Sequence, residues 1–308
     1  MQQEVITSVQ NPRIKQLLAL QQKSSERRKS GLFVVEGQRE LQHCIDAGLK
    51  VETVFCCEEM APNSSLSTLH SSHLSPWGAS PNGAMLATTG GLSPQRRHEV
   101  LSEGAFQLTI VTPYVYEKIA YRGSTEGIIA IVHTPHTSLS NIQWSTVNGQ
   151  WSMVNGHSPL FVVLESVEKP GNLGAILRSA DAAGVDAVIV CDPLTDLYNP
   201  NLIRSSIGAI FTVPTVACTS EECITWLKQH SVQILTAQLQ DSNVYYDTDM
   251  TRPTAIVMGT ESTGLTAIWR EAADAHIRIP MLGQLDSLNV SVSAAILMFE
   301  AVRQRCRR

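Results

Sequence analysis

The sequence has little that would place the protein in a membrane or outside the cell. Its 308 residues contain no stretch of 18 or more apolar residues, and its first residues lack the basic segment and apolar run of a secretory signal. Hydrophobic residues make up 43% of the chain and charged residues 17%, which suits a globular protein with a sizeable core. We therefore expect a cytoplasmic protein with no membrane partner.

The sequence also lacks the cysteine spacing of a zinc site or of a disulfide framework. Its seven cysteines are an odd number and are scattered, and Cys218 and Cys223 lie five apart without a pair of histidines. His70 and His73 fall in a stretch rich in Ser, Pro and Gly without nearby carboxylates, which favours a solvated loop. We predict reduced thiols and no metal site.

Positive charge is scarce as well. The chain has 23 Lys and Arg against 28 Asp and Glu, a formal net charge of −5, and this argues against a protein that coats nucleic acid by bulk charge. The net charge still allows RNA binding through local basic patches, of which the sequence has two. Each patch fits either an RNA-binding surface or an ordinary solvated helix face or chain end. The first patch comprises Lys23, Arg27, Arg28 and Lys29, and the second comprises Arg303, Arg305, Arg307 and Arg308.

The first 132 residues predict a small α/β domain. Asn11 and Pro12 are helix-start signals, and short apolar runs predict strands. Residues 60–104, dominated by Ser, Pro, Gly, Asn and Thr without a period, predict an inserted, flexible loop. Residues 133–158 predict a linker that includes a small hairpin edge beside Asn-Gly turn signals. The expected strands lie at 31–37, 51–57, 107–111 and 127–132.

Residues 159–308 alternate strands with helices. Short apolar runs, such as VVL at 162–164, suit strands that are buried on both faces. This alternation is typical of a largely parallel sheet covered by helices on both sides. The expected strands lie near 161–164, 187–190, 212–216, 233–237, 255–258 and 276–279.

Three polar, glycine-containing segments interrupt or follow apolar runs in this second half. α/β domains build ligand sites from the loops that leave their strands. A dehydrogenase is excluded because the first segment is not GxGxxG, although Asp192 lies at a suitable distance from it. The segments are KPGNLGAILR at 169–178, MGTESTG at 258–264 and IPMLGQLDSLNVSV at 279–292.

Together these segments closely resemble the SpoU/TrmH family of RNA 2′-O-ribose methyltransferases, within the SPOUT superfamily, over most of residues 160–308. The FVVEG run at 33–37 is similar to the family's substrate-binding domain, which is related to ribosomal protein L30e. The resemblance implies an α/β chain with two domains. Residues 1–132 would form the smaller L30e-like domain, and residues 159–308 a trefoil-knotted domain with a mostly parallel sheet flanked by helices.

The resemblance also implies the site residues. S-adenosylmethionine (SAM) would be the methyl donor, and no metal is required because its sulfonium leaves as a neutral thioether. Thr260 departs from the family, which often has Asn at this position. The implied catalytic positions are Arg178, Asn172, Glu261, Ser287 and Asn289, and the implied cofactor positions are Ala237, Gly259, Ile279, Met281 and Leu288.

Arg178 can be placed by helical geometry alone. It projects roughly 160° away from the apolar stripe of its helix, so it faces either solvent or a site. A ribose 2′-hydroxyl must lose a proton to attack, and the arginine is the family's candidate base. A guanidinium keeps its proton at neutral pH, so we favour stabilisation of negative charge instead. Asn172 would orient the arginine or the ribose, whereas Glu261 fits equally a structural carboxylate.

The predicted function is SAM-dependent methylation of a ribose 2′-hydroxyl in structured RNA. Ribosomal RNA is favoured over tRNA because minimal tRNA enzymes of the family lack the N-terminal domain. The alternatives are a tRNA 2′-O-methyltransferase and a non-catalytic RNA-binding or ribosome assembly protein, and the presence of Asn172, Arg178, Glu261 and Asn289 argues against the latter. The resemblance further implies a homodimer.

Overall fold

The computed structural model describes residues 5–61, 106–121, 126–142, 145–147, 150–152, 158–260 and 263–306. The predicted inserted loop therefore lies almost entirely outside the described residues. The chain divides into two compact units, the first comprising residues 1–135 with 198–200, and the second comprising residues 136–197 with 201–308. The limits predicted for the two domains and the linker stay predictions.

The first unit is built on a mixed sheet. Its strands run in the order β1-β4-β3-β5-β2, and β5 is antiparallel to both of its neighbours. The strands are β1 (Val5–Ile6), β2 (Leu32–Glu36), β3 (Val51–Cys56), β4 (Gln107–Val111) and β5 (Ile128–His133). The helices are α1 (Pro12–Gln22), α2 (Ser24–Ser30), α3 (Gln38–Asp46) and α4 (Pro113–Ile119).

Helix α1 begins where its sequence predicts. The Asn11 side chain accepts a hydrogen bond from the backbone N–H of Arg13 at 2.9 Å, and Pro12 occupies the first helical position. Ile14, Leu17 and Leu20 form the buried face of the helix. They pack into a core cluster that includes the strand residues Val34, Phe55, Ile129 and Ile131.

The first basic patch is only partly a surface feature. Arg27 is buried, and its guanidinium donates to the carbonyl oxygens of Leu20 and Gln21, so it ties α2 to the end of α1. Lys23, Arg28 and Lys29 are exposed. Any RNA contact from this patch therefore depends on these exposed residues rather than on Arg27.

The second unit contains a seven-stranded sheet in which every strand pair is parallel. The strand order is β10-β9-β8-β13-β11-β14-β12. The strands are β8 (Leu160–Glu165), β9 (Ala187–Cys191), β10 (Thr215–Cys218), β11 (Gln233–Ala237), β12 (Asn243–Val244), β13 (Thr254–Met258) and β14 (Ala275–Arg278). The helices are α5 (Pro170–Ala183), α6 (Pro200–Ser206), α7 (Ala209–Thr212), α8 (Ser220–Gln229), α9 (Ala267–Ala272) and α10 (Val290–Arg305). Short 3₁₀ helices lie at Leu139–Asn141 and Tyr245–Asp247.

Burial confirms the predicted α/β class with a mostly parallel sheet. Every residue of β8, β9 and β13 is buried, as expected for strands that helices cover on both faces. One core cluster contains the rings of Phe161, Trp226 and Trp269, and the buried indole N–H of Trp269 donates to the Ser220 hydroxyl at 2.9 Å. The trefoil knot stays a prediction.

Two local details differ from or extend the predictions. The strand expected at 212–216 is wrong at its start, because Gly208 adopts a left-handed φ of 82° and residues 209–212 form α7 instead. Within the segment predicted as a linker, β6 (Ser145–Val147) and β7 (Gln150–Ser152) form a two-stranded antiparallel sheet, which agrees with the predicted hairpin edge.

Arginines at the end of α10 make hydrogen bonds and an ion pair within the second unit. Arg305 donates to the carbonyl oxygens of Ser158 at 2.7 Å, Pro159 at 3.2 Å, Met250 at 2.9 Å and Arg252 at 3.1 Å. RNA binding is therefore not needed to explain Arg305, because its N–H groups already donate to backbone carbonyls of the same unit. The other members of the second patch are Arg303, which pairs with Glu300 at 2.6 Å, and Arg307 and Arg308, which lie outside the described residues.

Within the described part of the chain, no helix has both the length and the apolar character that crossing a membrane requires.

Candidate active site

The predicted catalytic segments leave one edge of the parallel sheet. The first follows β8, the second follows β13 and the third follows β14. Because all seven strands run in the same direction, their carboxyl ends lie along the same edge, where ligand sites of α/β sheets form. The three segments therefore share a position in the fold that their separation in sequence does not indicate.

A side-chain hydrogen bond joins the first segment to the third. Asn289 Nδ2 donates to Asn172 Oδ1 at 3.1 Å, across 117 residues of sequence. Asn172 lies in the first turn of α5. Asn289 is the N-cap of α10, where its Oδ1 accepts from the backbone N–H of Ser291 at 2.9 Å and from the Ser291 hydroxyl at 2.6 Å. The cap thus fixes the asparagine that holds Asn172.

Packing between α5 and α10 brings these two asparagines together. Leu173, Ile176 and Leu177 are fully buried on α5, and Ala294 and Leu297 are buried on α10. The same burial leaves Arg178 exposed on α5, which confirms the orientation that the helical period predicts.

The remaining predicted catalytic residues are less closely connected. Ser287 lies two residues before Asn289, and its hydroxyl donates to Asp286 Oδ1 at 3.2 Å in an exposed setting. Glu261 lies outside the described residues. The structure thus joins Asn172 to Asn289, and Arg178 lies on the same helix as Asn172. Among the described residues, Arg178 makes no hydrogen bond to the other predicted catalytic residues.

An open cleft of about 490 Å³ lies at the end of β14. Among the predicted cofactor residues, Ile279 and Met281 line this cleft. Ala237 ends β11 two residues before the lining residue Leu239. Gly259 and Leu288 lie outside the lining. The full lining comprises Leu239, Arg278, Ile279, Pro280, Met281, Gly283, Gln284, Leu285 and Asp286.

Sequence reasoning missed three of the lining residues that offer distinct chemistry. Arg278 contributes a guanidinium, Asp286 a carboxylate and Leu239 an apolar side chain. Arg278 and Asp286 adjoin or fall within the third segment, so position in that segment was an available signal. Leu239 had no such signal, because it follows a different strand.

The Gly259 position requires a glycine. A Cβ built there would overlap the backbone of Gly264, which packs directly against Gly259. The backbone N–H of Gly264 donates to the Thr260 carbonyl at 3.1 Å, and the N–H of Thr263 donates to the Thr260 hydroxyl at 3.0 Å. Thr260, the departure from the family pattern, therefore has a defined role in closing the turn.

A buried carboxylate that sequence reasoning also missed supports the segment after this turn. Glu165 ends β8 and is 3% exposed. Its two carboxylate oxygens accept from the backbone N–H of Thr266 at 2.9 Å and from the Thr266 hydroxyl at 2.6 Å. Since Thr266 is the N-cap of α9, these bonds anchor the start of α9, which follows the second segment, to the end of β8. An acidic residue at the end of an apolar run was the only sequence signal.

Comparison with known proteins identifies the family. The model of the SpoU rRNA methylase family matches residues 159–299, and that of an MRM3-like substrate binding domain matches residues 11–77. A solved RNA 2′-O ribose methyltransferase is 35% identical, with a TM-score of 0.69 over 98% of this chain and 99% of that one. The chain belongs to the SpoU family. The resemblance of the three segments is thereby confirmed.

Three further relatives extend the comparison. An AdoMet-bound rRNA methyltransferase from Sinorhizobium meliloti is 25% identical, with a TM-score of 0.76 over 97% of both chains. A 23S rRNA (uridine(2479)-2′-O)-methyltransferase from Streptomyces viridochromogenes is 38% identical over 47% of this chain, and a 23S rRNA (guanosine-2′-O-)-methyltransferase from Yersinia pestis is 42% identical over 48%. The matches span 53% and 61% of these two curated relatives.

Proposed function

We propose that this SpoU family member transfers a methyl group from SAM to a ribose 2′-hydroxyl in structured RNA, and that the RNA is ribosomal. The observation that carries the proposal is the hydrogen bond between Asn172 and Asn289. It joins two family segments at the carboxyl edge of the sheet, in the same unit as the cleft at the end of β14, and the helix that carries Asn172 also carries the exposed Arg178.

The cleft suits SAM in size and in chemistry. Its volume falls within the range of small-molecule sites, about 300–1,000 Å³. Leu239, Ile279 and Met281 would bury the adenosine, and Arg278 would pair with the carboxylate of the donor. When bound, SAM supplies a methyl group on a positively charged sulfur. The Asp286 carboxylate contributes negative charge to the same lining.

The remaining proposed cofactor positions shape this region rather than line it. Gly259 permits the tight turn after β13. Ala237 precedes a residue whose backbone N–H donates to the Ile277 carbonyl, which holds the end of β11 beside β14. Leu288 is 38% exposed and adjoins Asn289. We assign these three residues to the cofactor side of the site on that basis.

Arg178 would act on the RNA. Its exposed guanidinium offers paired N–H donors to a phosphate oxygen or to the 2′-oxygen as negative charge develops there. Asn172, held by Asn289, would orient the ribose next to it. Ser287 and Glu261 would hold the third and second segments against the acceptor nucleotide. A charge-stabilising role fits a guanidinium better than a basic one, because the group keeps its proton at neutral pH.

A homodimer is part of this proposal. Val292 and Phe299 are each 47% exposed, although both lie on the helix whose other residues Ala294 and Leu297 are buried. Residues seven apart lie on the same face of a helix, so these side chains form an apolar strip that a second copy would cover. Light scattering should report a dimer, and Phe299→Glu should shift it towards monomer.

Two features favour ribosomal RNA. Two of the relatives described above are named as 23S rRNA enzymes, and the first unit adds a separate substrate-binding domain to the methyltransferase unit. Folded RNA is recognised largely by its shape and its exposed loops. A cytoplasmic location follows from the proposed substrate.

The test uses tritiated SAM and total RNA from cells that lack the gene. Wild-type protein should label ribosomal RNA in a form that resists alkaline cleavage, because a 2′-O-methyl group blocks attack by the ribose oxygen. Arg178→Ala should lower the rate by about 100-fold or more. Arg270→Ala, at an exposed position on α9, is the matched control and should keep the rate.

The outcomes separate the proposal from its alternatives. Label in tRNA alone would replace the ribosomal substrate with tRNA. Label that is lost on alkaline cleavage would contradict ribose methylation. Binding of RNA without binding of SAM would leave a non-catalytic RNA-binding protein.

A further inference from the structure

Three cysteines that are dispersed in the sequence converge at the carboxyl edge of the parallel sheet. Cys191 is the last residue of β9 and Cys218 is the last residue of β10, and the two are register partners on adjacent strands. Cys223 lies in the first turn of α8. All three Sγ atoms lie within 4.8 Å of one another, and those of Cys191 and Cys218 are 4.0 Å apart.

This spacing matches the requirement of a metal ion held by three sulfurs. Metal–thiolate bonds of about 2.3 Å place the sulfurs of one coordination sphere about 4 Å apart. Cys191 and Cys223 are fully buried, which restrains their side chains. Cys218 is partly exposed and gives the cluster access to solvent.

The surroundings of the thiols favour a cation. Asp192 follows Cys191 directly and accepts from the Ser220 hydroxyl at 2.6 Å, which fixes its carboxylate near the rim. Glu222 precedes Cys223, and its carboxylate accepts from the backbone N–H of Thr219 at 2.9 Å. Both carboxylates act electrostatically on Cys218. A bound cation would offset the negative charge that these two carboxylates place beside the thiols.

The donor set indicates the kind of ion. Among the described residues, these thiols are the one group of three or more His, Cys, Asp or Glu side chains whose ligand atoms could hold a metal. Thiolate ligands select soft ions such as Cu(I) and Zn²⁺ over Mg²⁺ or Ca²⁺. Structural zinc sites take four protein ligands, whereas three sulfurs are available here. We propose that Cys191, Cys218 and Cys223 form a binding site for one soft cation, with Cu(I) the favoured occupant.

Binding would exchange three S–H bonds for three sulfur–metal bonds, with release of the thiol protons. The ion would link the ends of β9 and β10 to the start of α8. The sequence predicts no metal site because the first two cysteines are 27 residues apart and follow no metal-binding spacing. The register of two parallel strands, rather than sequence spacing, brings them together.

The test titrates the reduced full-length chain with Cu(I) in the presence of a chromophoric Cu(I) chelator, whose absorbance reports the competition. Wild-type protein should withdraw one equivalent of Cu(I) per chain. Cys218→Ser and Cys223→Ala should each weaken the binding by 100-fold or more. The control is Cys306→Ser, which removes an exposed thiol near the other end of the unit and should bind as wild type does.

Thermal unfolding accompanies each titration. The ion should raise the melting temperature of wild type and of Cys306→Ser, and it should leave that of Cys218→Ser unchanged. Circular dichroism establishes that each variant is folded before it is titrated. The proposal is overturned if wild type fails to compete with the chelator, or if Cys306→Ser loses the ion as the cluster variants do. Neither readout depends on methyl transfer.

Discussion

The two edges of the seven-stranded sheet use their polar side chains differently. At the amino edge, Asp186 accepts from the backbone N–H of Leu160 at 2.7 Å, and Asp274 accepts from that of Ile234 at 2.7 Å. Arg305 binds carbonyl groups just before β8 and β13. These groups all satisfy backbone atoms where the strands begin.

The carboxyl edge holds the candidate site. Asn172 is half-buried and Asn289 is exposed there, and the cleft lies at the ends of β11 and β14. Leu282 and Leu285 in the third segment are 97% and 76% exposed. The comparison teaches that polar side chains at the amino edge bind backbone atoms, whereas the carboxyl edge combines such a group, Glu165, with the residues of the candidate ligand site.

The largest expected effect on stability is at the amino edge. Arg305→Ala removes four hydrogen bonds to carbonyl groups, three of them partly buried. We expect the free energy of unfolding to fall by about 2–4 kcal/mol. Chemical denaturation measures this, with Arg270→Ala as the exposed control. If the denaturation midpoint of Arg305→Ala equalled that of wild type, the hydrogen bonds of Arg305 would not stabilise the protein.

The next effect tests the turn after β13. Gly259→Ala places a Cβ against the backbone of Gly264, so the turn must open. Strain of this kind costs about 1–3 kcal/mol, and we expect SAM affinity to fall by 10-fold or more in calorimetry. Gly171→Ala is the matched control for stability, since a Cβ there meets nothing within 4 Å. Equal melting temperatures for the two variants would contradict the role of the turn.

A smaller effect on stability is expected at Asn289, where one variant pair separates the capping role from the catalytic role. Asn289→Ala loses the N-cap of α10, which costs about 1 kcal/mol. Asn172→Ala breaks the same side-chain pair but leaves the cap in place. We expect both variants to lose methyl transfer, and only Asn289→Ala to lose substantial stability. If Asn172→Ala retained full activity, the pair would be structural alone.

The smallest expected change in stability is at Arg178. Its side chain is exposed, so Arg178→Ala should alter the free energy of unfolding by no more than about 0.5 kcal/mol while methyl transfer falls steeply. Denaturation and the tritium assay on one preparation measure both quantities. A destabilisation as large as that of Arg305→Ala would remove the distinction between the two edges.

Local patterns predicted much of this protein. The Asn-Pro pair predicted the start of α1, and the apolar runs predicted most strands. The helical period predicted that Arg178 lies on the exposed face of α5. Each of these features depends on residues within a few positions of one another, which periodicity and capping report directly. The strand predicted at 212–216 was wrong at its start because a left-handed Gly208 starts a short helix there.

The sequence by itself determined the family, through three segments whose residues are specific enough to be recognised without coordinates. It also determined the α/β class, through alternation of buried strands and amphipathic helices. Only the tertiary structure decided that Asn172 meets Asn289 across 117 residues, that Arg305 serves backbone carbonyls, and that Cys191 lies beside Cys218. The reason is physical: such contacts depend on strand order, register and helix packing, and no local spacing of residues encodes these.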